Sequence, residues 1–177
     1  YELEGYNYAK HILDLKAMYT PDRKNKSVEV ELYSVYDSPI YYTLDGSEPN
    51  KNSEEYIRPL SIYGTSNLKA VYISEGEESK MLNEQVSFNK ATLKPIKLVY
   101  EPADAQKYNG AVTLVDGLKG SDNPATGRWL GFYGTGLEAI IDLEESTEIS
   151  QVITNANIDV YASVSYNHLT LPKKRLG

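Results

Sequence analysis

The stretch "VEVELYSVYDSPIYYTLDGSEPN", Val28 to Asn50, decides how the chain is read. Val28, Val30 and Leu32 alternate with Glu29 and Glu31, so one face of an extended segment is apolar and the other charged. Side chains alternate sides every two residues in a strand, whereas a helix repeats every 3.6. Asp37-Ser38-Pro39 interrupts the run, and Ile40 to Leu44 resumes it. Asp45-Gly46 then turns the chain, because glycine accepts a positive φ and the Asp side chain can bond its own backbone. The oxygens of "LDGSEPN" also match a piece of a calcium loop. A full loop needs further ligands and a closing Glu in register, and Pro49 beside a strand favours a plain corner.

The same pattern continues outward. "SIYG" (61–64), "NLKAVYI" (67–73) and "EQVSF" (84–88) read as short strands, with Leu68, Ala70 and Tyr72 on one face. "SEGEES" (74–79) reads as a hairpin tip. Short strands at this spacing, separated by turns, predict a small antiparallel β-sandwich. Upstream, Ile12, Leu15 and Met18/Tyr19 show helix-like spacing, so residues 1–21 read as a linker with one helical turn ended by Thr20-Pro21. Downstream, polar "NKATLKP" (89–95) marks a boundary. A second module follows, with strands expected at "IKLVY" (96–100), "LEAIIDL" (137–143, the clearest buried strand) and "ISQVIT" (149–154).

Composition narrows the function classes. The 177 residues carry 18 basic and 25 acidic side chains, a net charge of −7, and the one dense basic cluster is Lys173-Lys174-Arg175. Nucleic acid is a poor partner for such a surface, since phosphate binding needs a basic face. Tyr is used 16 times against 2 Phe and 1 Trp, which suits half-exposed sheet faces. With no cysteine, disulfides, zinc-thiolate sites and cysteine nucleophiles are all excluded. No run approaches the roughly 18 apolar residues of a membrane helix. The chain opens on Tyr1 without a signal-peptide pattern and reads as a piece of something longer.

The motifs that could carry chemistry are few. "GTGLEA" (134–139) fits the dinucleotide pattern, but a strand follows where a helix is required. The acidic doublets Glu54-Glu55, Glu77-Glu78 and Glu144-Glu145 sit in polar surroundings, and His11 and His168 are far apart. No nucleophile elbow or H-E-x-x-H occurs. Trp129, framed by "TGRWLGF", reads as core in preference to a sugar-stacking ring. Asp116, Asp122 and Thr126 supply oxygens enough for a calcium loop, and a solvated loop explains them equally well. No catalytic residue is expected, and no cofactor beyond that calcium.

Tyr42, Thr43, Leu44, Asp45, Gly46, Ser47, Pro49, Ser53, Tyr56, Pro59 and Leu68-Lys69-Ala70 resemble the small β-sandwich found at the C-terminus of chitobiases and β-hexosaminidases. "EGYNYAKHILDLKAMYTP" is similar to the segment that links this module to the catalytic barrel in bacterial family 20 glycoside hydrolases. "LVDGLKG…GRWLGFYGTGLEAIIDL" resembles the start of a discoidin-like (coagulation factor 5/8 type C) domain, a galactose-binding-like jelly roll. The resemblance implies an all-β chain: a linker over 1–21 from an upstream barrel, a sandwich over 22–91 and a truncated discoidin-like domain over 95–163. Residues 164–177, "VSYNHLTLPKKRLG", resemble nothing in that domain and read as an anomalous, artefactual tail.

The implied function is a non-catalytic accessory region of an exported β-N-acetylhexosaminidase, periplasmic or at the cell surface, bracing the catalytic barrel and binding glycans. The same sandwich occurs in α-L-fucosidases, and a free-standing carbohydrate-binding or adhesion fragment is the other alternative. The family's catalytic Asp-Glu pair lies in the barrel, so none is carried over. Asp116 corresponds to the acid of the "DG" loop, with Thr126 and Trp129 near the usual "T-x-W", although "LKGSDNPATGR" (118–128) is a longer insertion. A jelly roll without its later strands is expected to pack loosely.

Overall fold

The computed structural model describes residues 14–35, 37–74, 77–104, 107–120 and 127–155. The expected tail at 164–177 lies outside them. The chain divides into two units, Tyr1–Leu93 with Asp116–Leu118, and Lys94–Val115 with Lys119–Gly177. The described residues are all-β apart from 3-10 turns, and every strand pair is antiparallel.

The first unit is a small β-sandwich. Strands β1 (Lys16–Asp22) and β2 (Ser27–Tyr33) form a hairpin, and β5 (Leu60–Ile62) lies on the far edge of β2. The hairpin turn is held by Asn25, whose amide N–H and side-chain Nδ2 donate to the two oxygens of Asp22 at 3.0 and 2.7 Å. The second sheet runs β4 (Glu54–Glu55), β3 (Ile40–Thr43), β6 (Ser66–Ser74). Along the other edge of β6 lie β8 (Leu82–Val86), paired with residues 66–70, and β7 (Glu77–Glu78), paired with 73–74.

The alternation in β2 does what its period requires. Val28, Val30 and Leu32 are buried, Glu29 and Glu31 face outward, and Val28 and Val30 are wholly enclosed. They meet Ile40, Leu68, Ala70, Tyr72 and Val86 from the opposite sheet, together with Ile62 and Leu15, in one apolar layer. Strand β6 is buried on both faces around Ala70–Ile73, which is why "AVYI" is a continuous apolar run there.

The helix-like spacing upstream yields no helical turn at its described residues. Lys16–Asp22, of which all but Asp22 was expected within the linker, is the edge strand β1. Leu15, Ala17 and Tyr19 face the core two residues apart, while the outward Met18 blurred that alternation. Pro21 is tolerated because an edge strand has a ladder on one side alone.

The second unit contains a 3-10 turn over Gly110–Leu114 and a two-stranded ribbon of β9 (Ile96–Leu98) and β10 (Ala139–Ile141). Val99 N–H to Glu138 O and Asp142 N–H to Pro95 O extend the ladder at both ends, and Lys94 pairs with Glu144. "LEAIIDL" is therefore a strand but not a buried one: Ile140 is 60% exposed. A two-stranded ribbon has a face that no second layer closes unless more strands pack on it. "ISQVIT" is not a strand in its described residues, and Ile149, Val152 and Ile153 are exposed. Adjacent Val152 and Ile153 cannot both face one side, so the two-residue period is absent.

Two outcomes are expected. Leu68→Ala, at a residue with no exposed surface, lowers stability in chemical denaturation by about 3 kcal/mol through lost burial and a residual cavity. Limited proteolysis cuts between 96 and 155 before it cuts the first sandwich, mass spectrometry giving the order.

Candidate functional site

The residues singled out between Tyr41 and Pro59 converge on one corner of the first sandwich, and each has a mechanical task. Asp45 Oδ1 accepts from the Ser47 amide at 2.9 Å and from the Ser47 hydroxyl at 2.6 Å, which closes an Asx turn. Thr43 Oγ1 donates across the corner to the Ser47 carbonyl at 2.6 Å. Gly46 sits at φ +84°, and a Cβ there would lie 3.2 Å from Asn67 Cβ, so both backbone angle and space call for glycine. Asn67 N–H donates to Leu44 O, fastening the corner to the start of β6. The hydrogen bonds that hold the Asp45 carboxylate keep its pKa below the usual carboxylate value, led by the Ser47 hydroxyl.

A second turn follows at once. Pro49 is buried. Ser53 Oγ accepts from Asn50 N–H, Ser53 N–H returns to Asn50 O, and Asn52 N–H donates to Asn50 Oδ1. These bonds deliver the chain into β4, where Tyr56 N–H donates to Ile40 O at 2.7 Å and the Tyr56 ring packs on the core. Tyr42, on the core side of β3, donates its hydroxyl to Glu54 Oε2 at 2.6 Å. Burial, and then this bond to a carboxylate, push the Tyr42 hydroxyl up to about 12. Glu54 is thus spoken for by a tyrosine, and Glu55 is its exposed neighbour on the edge strand.

Among the described residues no three His, Asp or Glu side chains come together in a group that could hold a metal ion. Glu144 pairs with Lys94. The side chains of Glu77 and Glu78, together with His11 and His168, lie outside the described residues. "GTGLEA" is followed by strand β10, so the helix N-terminus needed to receive a pyrophosphate is missing.

Of the calcium-loop residues, Asp116 is described, whereas Asp122 and Thr126 lie outside the described residues. Asp116 is 5% exposed, and its Oδ1 accepts from the Leu118 amide at 2.8 Å. Gly117, at φ +82°, accepts through its carbonyl from Ser87 N–H at 2.8 Å, and Leu118 bridges to Val86 and packs against the core. "DGL" thereby lengthens the β8 edge of the first sandwich, although it lies more than twenty residues beyond the chain boundary at Leu93. A turn-forming Asp-Gly is visible in sequence, but which edge it joins is not. Trp129 is half-buried and not a core residue: its indole lies so close to Gly120 that there is no room for a Cβ there.

The fold and the corner together define a small antiparallel sandwich whose signature residues hold turns. Residues 20–83, from the end of β1 into β8, match the family model of the chitobiase/beta-hexosaminidase C-terminal domain. A search of curated proteins finds no match to the chain.

The raised Tyr42 pKa fixes a pH dependence. The hydroxyl is protonated in folded and unfolded states below about pH 10, so the stabilisation is fully present there and is lost as pH rises through about 12. Unfolding midpoints measured from pH 9 to 12 fall less steeply for Tyr42→Phe than for the wild type.

Proposed function

We propose that the chain is a non-catalytic accessory region of an exported bacterial β-N-acetylhexosaminidase, in which the first sandwich braces the catalytic domain. The observation that carries this reading is the family match over residues 20–83, in register with a corner in which the carboxylates of Asp45 and Glu54 hold a turn and a tyrosine. Cleavage of a glycosidic bond needs two carboxyl groups held across a cleft. In the corner, Asp45 and Glu54 are instead consumed by Ser47 and Tyr42. A discoidin-like origin for the second unit, with glycan binding there, is the finer part of the proposal. Tyr133, 94% exposed, offers a free aromatic face of the kind that stacks on sugar rings. The fucosidase and adhesion-fragment readings share the same sandwich and differ in what precedes it.

The chain is expected to release no nitrophenol from a nitrophenyl N-acetylglucosaminide, and the reading frame upstream of Tyr1 to encode a barrel with an Asp-Glu pair. Turnover by the chain itself contradicts the accessory role. A different nucleophile upstream moves the assignment to another glycosidase, and an open reading frame without a barrel moves it to an adhesion fragment.

A further inference from the structure

The β9-β10 ribbon leaves one edge of β10 without a strand partner among the described residues. Val99 N–H donates to Glu138 O and Asp142 N–H donates to Pro95 O, so residues 138 and 142 turn their backbone groups toward β9. Such groups alternate sides along an antiparallel strand. Ile140, midway between them and opposite Lys97, therefore also faces β9 with its backbone. Ala139 and Ile141 turn their N–H and C=O groups to the other edge. All three residues of β10 are exposed. Residues 137–143 include neither proline nor lysine, the residues that commonly blunt an open edge.

This edge reads nearly the same in both directions. Leu137-Glu138-Ala139-Ile140-Ile141-Asp142-Leu143 has Leu at both ends, an acid next inside each, and Ile140 at the centre. Laid antiparallel on a copy of itself about Ile140, it sets Ala139 against Ile141 with the free backbone groups of both in position to bond. Leu137 then meets Leu143, and Ile140 meets its own copy. Ala139 and Ile141 share one face of the strand and Ile140 takes the other, so apolar side chains meet on both faces. The same register sets Glu138 against Asp142, a like-charge pair that weakens the ladder. Lys97, across from Ile140 and diagonal to both acids, offsets part of that cost.

We infer that the free edge of β10 is a self-pairing surface, on which a second copy of this chain lays its own β10 antiparallel, centred on Ile140. The product is a continuous sheet in the order β9-β10-β10-β9. A lone two-stranded ribbon is marginal in water, and added strands are what make a sheet persist. Each copy offers the same edge to the other, so the contact is isologous and closes at a dimer. It is one strand long, which places it among weak associations.

The 177-residue chain has no cysteine, so a single introduced thiol reports the register. Ile140→Cys falls on the two-fold axis, where non-hydrogen-bonded neighbours approach to about 4.5 Å between Cα atoms, within disulfide range. Glu138→Cys faces position 142 and stays at least about 13 Å from its own copy. Under mild oxidation, Ile140→Cys is expected to give a covalent dimer about tenfold faster than Glu138→Cys on a non-reducing gel. Sedimentation equilibrium of the wild-type chain, up to about 1 mM, should fit monomer and dimer alone. Glu138→Gln combined with Asp142→Asn should tighten the dimer about fivefold, a gain that misfolding cannot mimic, and Ile140→Lys should abolish it. Equal cross-linking at the two positions, a monomer at every concentration, growth beyond the dimer, or a dimer indifferent to Ile140→Lys each overturns the assignment.

Discussion

The first unit depends on one dry contact between two sheets. Val28 and Val30 on one side, with Leu68 and Val86 on the other, have no exposed surface. Each such side chain contributes about 1.5–3 kcal/mol relative to leaving it in water. The sheets have three and five short strands, and each carries an apolar side that water would otherwise meet. Each sheet covers the apolar side of the other. Every corner of the chain must keep the two layers facing, and this is where the polar residues of the unit are used.

The 41–56 corner is the best-braced of these. It must reverse the chain between β3 and β4, reach the beginning of β6 and leave no backbone group dry and unbonded. Asp45, Ser47, Thr43, Asn50 and Ser53 meet those demands with side-chain bonds of 2.6–3.0 Å. A corner held in this way has already lost its conformational freedom, so whatever domain it touches meets a fixed shape. The same economy engages Asp45: a carboxylate that holds a turn has its lone pairs engaged and its charge stabilised, the opposite of a group waiting to move a proton.

How far this was legible in the sequence depends on whether the signal was local. The strand at Val28–Leu32 was plain, because Glu29 and Glu31 report the outward face without ambiguity. The Asp45-Gly46 turn was equally plain, since glycine chemistry is local. Strand β1 was obscured by Met18, an apolar residue on the wet side, which turned a two-residue alternation into something resembling a helix. Ile140 and Ile141 show the converse limit. Apolar composition announced a strand but could not announce a cover for it, because burial belongs to the partner layer and not to the segment. The partnership of Asp116–Leu118 with Ser87 was out of reach for the same reason: pairing across about thirty residues leaves no periodic trace. Within the candidate site, residue identities could be read from sequence, while their roles as turn locks needed distances.

Edge protection ties these observations together. A sandwich with open sheets risks pairing with other chains through its unpaired N–H and C=O groups. In this chain β4 is only two residues long, β1 carries Lys16, Pro21 and Asp22, and the end of β8 is capped by Gly117 and Leu118. The strand edges are thus blunted by shortness, charge, proline or cover. Apolar surface remains exposed on this unit at Met18, Tyr33, Val35, Leu44, Ile57 and Tyr63, and Met18 and Tyr33 lie on the outer face of the β1-β2 hairpin. Contacts made through side chains on a face add no strand to the sheet, unlike contacts made through an open edge. Guarded edges of this kind keep a small sandwich from templating its own aggregation.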